Sequence, residues 1–224
     1  MDLISIFRKF SPVIRPILAA KNRIFSLRVR GGRGNRVEGL DACLMRNCRV
    51  TFSGTGNLVQ IGELSTLQDA AIHISGSNCH VTLGSRVTLM GCSLSLEGDG
   101  SAIEVGTHTY IYNDTELAAL EGTTITLGED CLLSSDIVIR TGDSHSILDA
   151  SGKRINPSES ITLGSHVWLG KGATVLKGAS IGDHCVVATT ALVTRSTETV
   201  TCAILAGSPA KPTRRDITWD HQLL

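Results

Sequence analysis

From Gly54 onward the chain repeats one short pattern of apolar and polar positions. Two aliphatic residues, two positions apart, stand just ahead of a turn glycine in Val59/Ile61, Val81/Leu83, Ile103/Val105, Ile125/Leu127 and Ile161/Leu163. The glycines that follow (Gly62, Gly84, Gly106, Gly128) lie 22 residues apart, and Gly164 and Gly182 come after further steps of 36 and 18. Alternation over three to five residues, punctuated by Gly, Asn, Asp and Ser, predicts short strands. The step of 36 is one repeat plus fourteen extra residues, which places an insertion at 142–155.

A unit of this length cannot bury its apolar row alone and must stack on its neighbours. The economical solution is an all-β parallel β-helix, one coil per repeat, rising about 4.8 Å per coil. Five full units, a shorter GASIGDHCVVATTALVTR unit and a degenerate one from residue 37 predict about seven coils. Periodicity alone leaves the hand of the helix open, since right-handed crossovers are the general rule.

Ahead of the repeats, apolar residues at 3, 7, 10, 14, 17, 18, 24 and 25 form a loosely helical face, with Pro12 and Pro16 expected as breaks. The other face is basic: residues 1–36 carry nine Lys and Arg against the single acid Asp2. This segment reads either as a cap over the open end of the β-helix or as a membrane-surface helix over residues 1–30. The expected organisation is thus an N-terminal helical segment 1–36, a β-helix domain 37–211 and a short tail 212–224.

Composition agrees with slim stacked coils. Of 224 residues, 42% are hydrophobic but only 4% aromatic, and 23 are glycine. The chain is too apolar and too weakly charged to be disordered, and no apolar run approaches the roughly 18 residues of a membrane span. The formal charge of zero is a cancellation, because the chain beyond residue 36 holds 12 basic and 20 acidic residues. No nucleic-acid partner is expected. Met1 to Ala20 is interrupted by arginines and prolines, so it is not expected to be a secretory signal. The seven scattered cysteines, with no C-x-x-C pair, read as small core residues in a reducing cytoplasm.

The stretch from Ile161 to Lys211 contains ITLGSHVWLGKGATVLKGASIGDHCVVATTALVT and then ILAGSPAK. With V-W-L-G, the I-G-D step and A-G-S-P-A-K in order, it resembles the C-terminal half of hexapeptide-repeat acyltransferases. Upstream, IRTGDSHSILDASGKRINPSESI is similar to bacterial O-acetyltransferases of capsular polysaccharide and lipopolysaccharide, those acting on polysialic acid included. The resemblance implies a left-handed β-helix, a homotrimer with sites at subunit interfaces, acetyl-coenzyme A as co-substrate and a carbohydrate acceptor. Residues 1–53 show no such likeness.

Moving an acetyl group from a thioester to a sugar hydroxyl needs a base, a stabilised oxyanion and a cofactor held against the acceptor. Histidine as a residue type suits the base, since its unperturbed pKa lies near working pH; among seven histidines, His145 alone sits in the insertion, and it matches the catalytic histidine of the resembling enzymes. Asp143 either orients that ring or makes an Asx-type turn. Trp168 is too large for the inside of a slim coil, so it is expected to project outward; the family places its tryptophan near the acetyl group. By the same resemblance Gly170, Lys171, Thr189 and Thr194 line the pantetheine arm, a Gly170 amide being one candidate oxyanion donor. Phosphates need cations, and the family has basic residues at the positions of Arg195, Lys211 and Arg214.

Arg140, Lys153 and Arg154 flank the loop and suit an anionic glycan, and Asn156 matches an acceptor-side position. His166 and His184 follow turn glycines and read as corner residues. His73, His80 and His108 lack close ligand spacing, so no metal is expected. Two other classes stay in view: an N-acetyltransferase for an amino-sugar nucleotide, and a non-catalytic glycan- or ice-binding β-helix with an outward row at Thr82, Thr126 and Thr162. Gln60 and Glu104 interrupt that row.

Overall fold

A computed structural model of the chain describes residues 3–222 and, within the first helix, side chains from Pro12 onward. An α-helix (Leu3–Lys21) and a π-helical turn (Asn22–Ser26) lead into a left-handed parallel β-helix. Three sheets form the faces of a prism. The first runs from Leu27–Arg30 to Leu192–Val193, the second from Arg36–Glu38 to Ser180–Ile181, and the third from Leu44–Arg46 to Ala203–Gly207, closed by an antiparallel partner, Ala210–Arg215.

The repeat register is the stacking register. Val59, Val81, Ile103, Ile125 and Ile161 pair in sequence, as do Ile61, Leu83, Val105, Leu127 and Leu163, and all are buried. Each such aliphatic contributes about 1.5–3 kcal/mol on full burial. The outward row of the second sheet reads Gln60, Thr82, Glu104, Thr126, Thr162, so its threonines are interrupted as the sequence indicated. Turn glycines are needed for close approach rather than for a left-handed backbone: a Cβ on Gly106 would lie 2.4 Å from the carbonyl of Gly128 in the next coil. The left-handed residue comes two positions later, at Arg86, His108, Asp130, His166 and His184, so these side chains stack along one corner.

Two expectations about the N-terminus change. The prolines do not break the helix, which runs through both. They stand about one turn apart, both on exposed positions. The β-helix also starts ten residues early: Leu27–Arg30 pairs in parallel with Cys48–Thr51, giving eight turns rather than about seven. The helix is tied to the first coils, because Arg15 pairs with Asp41 and Glu63 and the buried Asn22 carboxamide donates to the carbonyls of Leu40 and Cys43. Val13, Ile17, Ile24 and Phe25 remain exposed, the face that a membrane-surface reading requires. Among the described residues no helix is long and apolar enough to cross a membrane.

Candidate active site

The insertion leaves the prism where the first face turns into the second, between the strands Val138–Arg140 and Ile161–Leu163. Its far end is a small hairpin, with Leu148 bridging Arg154. Asp149 makes the Asx-type turn there, accepting from the amides of Ser151 (2.8 Å) and Lys153 (3.0 Å). Asp143, for which that turn was one expectation, has another role.

Asp143 accepts from Lys177 and from the Asn156 carboxamide at 2.8 Å, not from the His145 ring. The Lys177 ammonium, with help from Asn156, holds the Asp143 carboxyl below the usual carboxylate range. The same Asn156 nitrogen donates to the main-chain carbonyl of His145 at 2.8 Å, while its oxygen accepts from the amide of Ile147 at 2.7 Å. Both flanks of His145 are thereby fixed. The imidazole itself is exposed and makes no hydrogen bond among the described residues.

A second set of contacts fixes the loop base. Arg154 grips Glu121 with both guanidinium nitrogens (2.6 and 3.0 Å), and Ser158 adds its hydroxyl at 2.7 Å. These bonds, Arg154 first, bring the Glu121 carboxyl down to about 2. Arg140 bonds Glu116 and the Ser144 hydroxyl, each at 2.7 Å. Of the cations expected to meet an anionic glycan, Arg140 and Arg154 are thus engaged within the protein, while the Lys153 ammonium has no ion pair among the described residues.

Beneath the loop lies a cleft of about 430 Å³ lined by Asp143, Asn156, Glu159, Lys177, Thr194 and Arg195. Arg195 pairs with Glu159 at 2.8 Å, and the Thr194 hydroxyl bonds that of Ser196 at 2.8 Å. An adjacent cleft of about 460 Å³ includes Ser196, Glu198 and Lys211. Lys211 and Arg214 stand exposed on the closing strand Ala210–Arg215.

Other expected residues lie elsewhere on the prism. Trp168 projects outward from the third face, 37% exposed, its indole N–H donating to the Ser134 hydroxyl at 3.3 Å. Gly170, Lys171 and Thr189 occupy the corner that follows it, with Lys171 3.2 Å from Asp136. The Gly170 amide donates to the Val187 carbonyl at 2.8 Å within the ladder, so it is not available as the expected oxyanion donor. Within one chain, then, His145 and Trp168 stand on opposite sides of the prism.

Lys177, Glu121 and Glu159 escaped the sequence reading. Register carried the signal for the first: Arg140 pairs with Leu176, so Lys177 stands directly over Thr141, where the insertion begins. The buried thiols of Cys43, Cys92 and Cys131 are poor nucleophiles, since burial pushes Cys43 and Cys92 up to about 12 and Cys131 to about 11.

Residues 160–195 match the family model described as bacterial transferase hexapeptide (six repeats). The chain is 34% identical over 96 residues to a polysialic acid O-acetyltransferase of Escherichia coli O1:K1 / APEC, covering 42% of this chain and 31% of that protein. It therefore spans less than a third of that relative's length. Among solved structures, the polysialic acid O-acetyltransferase OatWY superposes with a TM-score of 0.83 at 28% identity, over 88% of this chain and 92% of that one. The polySia-specific acetyltransferase NeuO gives 0.76 at 27%, over 88% and 90%.

Proposed function

We propose that this chain is a cytoplasmic acetyl-coenzyme A-dependent O-acetyltransferase that acylates a sugar hydroxyl of a bacterial surface polysaccharide or its precursor, with His145 as general base. The observation that carries the reading is the state of His145. Its main chain is clamped by Asn156, which lines the cleft, while its imidazole has no partner among the described residues. A base must be held in place yet keep its accepting nitrogen for the substrate proton. The names of the similar proteins support the polysaccharide acceptor.

Acetyl-coenzyme A supplies the acetyl group as an activated thioester. The donor set fits its chemistry, because Lys211 and Arg214 offer cations to its phosphates, with Arg195 beside them on its Glu159 pair, and the two adjoining clefts offer a run of surface for its arm. His145 takes the proton of the acceptor hydroxyl and returns it to the leaving sulfur. Asn156 and the Asp143–Lys177 pair keep the loop from drifting. Lys153 is the loop cation left to meet an anionic sugar.

The opposed positions of His145 and Trp168 support a homotrimer whose sites form between copies, the loop of one chain facing Trp168 of the next. Thiol release from acetyl-coenzyme A in the presence of capsular and lipopolysaccharide fragments tests the reading. Acceptor-dependent release is expected. Absence of release with every acceptor, together with no coenzyme binding by calorimetry, would overturn it.

A further inference from the structure

The corner between the second and third faces, away from the insertion, gathers an unusual set of side chains. Asp130 stands in the corner column between His108 and His166. Its Oδ1 lies 2.6 Å from His108 Nδ1 and 3.3 Å from His221 Nε2, and its Oδ2 lies 2.6 Å from His166 Nδ1. His221 comes from the C-terminal tail, which folds back so that Trp219 stacks on His166 with ring centroids 4.2 Å apart. The Trp219 indole N–H donates to the His166 carbonyl at 2.7 Å.

The proton count at His166 identifies what the corner can hold. His166 Nε2 faces the Trp219 carbonyl at 2.9 Å. A carbonyl only accepts, so this nitrogen carries the hydrogen. In the neutral ring Nδ1 is then a lone pair, and it is aimed at a carboxylate oxygen. Two acceptors at 2.6 Å need a cation between them, either a second ring proton or a metal ion. His108 needs none: its Nδ1–H donates to Asp130 while Nε2 accepts from the Tyr110 hydroxyl at 2.9 Å. That leaves one carboxylate and two imidazole nitrogens, on His166 and His221, converging on one point.

We propose that Asp130, His166 and His221 bind a divalent transition-metal ion, zinc by ligand type, which staples the C-terminal tail to the wall beside Trp168. The three ligand atoms already lie within 4.8 Å of one another. Zinc takes imidazole and carboxylate ligands at about 2.0–2.2 Å, which puts neighbouring ligand atoms roughly 3.3 Å apart, so small side-chain adjustments complete the site. The outer contacts are those a ligating histidine uses: a ring N–H given to a backbone carbonyl, and a carboxylate steadied by a further donor, here His108. The staple holds Trp219 with its ring centroid 5.9 Å from that of Trp168. Sequence spacing hid the site because its ligands are 36 and 55 residues apart.

Full-length protein, stripped with chelator, is titrated with zinc chloride by calorimetry and melted with and without zinc. The expected result is one equivalent per chain and a Tm raised by zinc. Asp130→Asn and His221→Ala should each weaken binding at least tenfold and abolish the zinc-dependent rise in Tm. His221 lies on the tail, so its variant keeps the coils and should melt like stripped wild type. His80→Ala, an exposed histidine of the second face, should bind as wild type does. No zinc binding by the wild type, or binding that survives both Asp130→Asn and His221→Ala, would overturn the proposal. Neither readout depends on acyl transfer.

Discussion

Asn156 holds His145 by its backbone, its carboxamide donating to the His145 carbonyl at 2.8 Å while the ring stays free. Under the proposed function, this arrangement separates the placing of the base from its chemistry. Asn156→Ala should therefore leave the base intact but misplaced, and should orphan the Ile147 amide. A displacement of about 1 Å costs up to ~100-fold. Steady-state kinetics should show kcat falling ~10- to 100-fold with a smaller change in KM, and limited proteolysis should cut faster within 142–155. An unchanged kcat would remove Asn156 from the site.

Glu121 and Arg154 tie the loop base to the preceding coil. Because the folded carboxyl sits near 2 against an ordinary 4.5, the tie is fully present above pH 4.5 and is lost as pH falls toward 2. Glu121→Gln should melt lower than wild type at pH 7, and the gap should close through that window. The pair is exposed, so high salt should narrow the gap as well. Thermal unfolding across pH, with a gap that persists at pH 2, would contradict the assignment.

Lys211 stands on the closing strand at the edge of the second cleft, exposed and suited to a phosphate. Lys211→Ala should raise the KM for acetyl-coenzyme A about tenfold, the low end for a charge-assisted hydrogen bond, with little change in kcat. An unchanged KM would show that the coenzyme phosphates lie elsewhere.

Gly106 has no room for a side chain, since the next coil's backbone lies 2.4 Å from an added Cβ. Gly106→Ala should cost about 1–3 kcal/mol by denaturant unfolding, the range of core overpacking. Gly32→Ala, which meets nothing within 4 Å, should be nearly neutral.

Much of the fold was legible because it is written as a repeat. The 22-residue spacing of glycines and paired aliphatics reappears as coil register, from Val59 over Val81 to Ile103 over Ile125. The extra coil was missed because Leu27 and Val29 alternate with arginines inside the basic segment, and the strand is set by pairing with Cys48–Thr51. The helix runs through Pro12 and Pro16, both on exposed positions, a placement that local propensity does not carry. At the candidate site, the break in the repeat pointed to the insertion and hence to His145, while Asn156 was singled out by the resemblance. The roles of Lys177 and Glu121 were hidden because their partners sit 34 and 33 residues away, brought close only by winding. Gly170 was misread as an oxyanion donor for a related reason: its amide is consumed by the neighbouring coil's Val187.

The central claim is that His145 is the base for acyl transfer. The most direct test compares wild type with His145→Ala in acceptor-dependent thiol release from acetyl-coenzyme A, alongside coenzyme binding by calorimetry. The account predicts a fall in release of ~100-fold or more with coenzyme affinity unchanged. Release at the wild-type rate by a properly folded His145→Ala protein would contradict it.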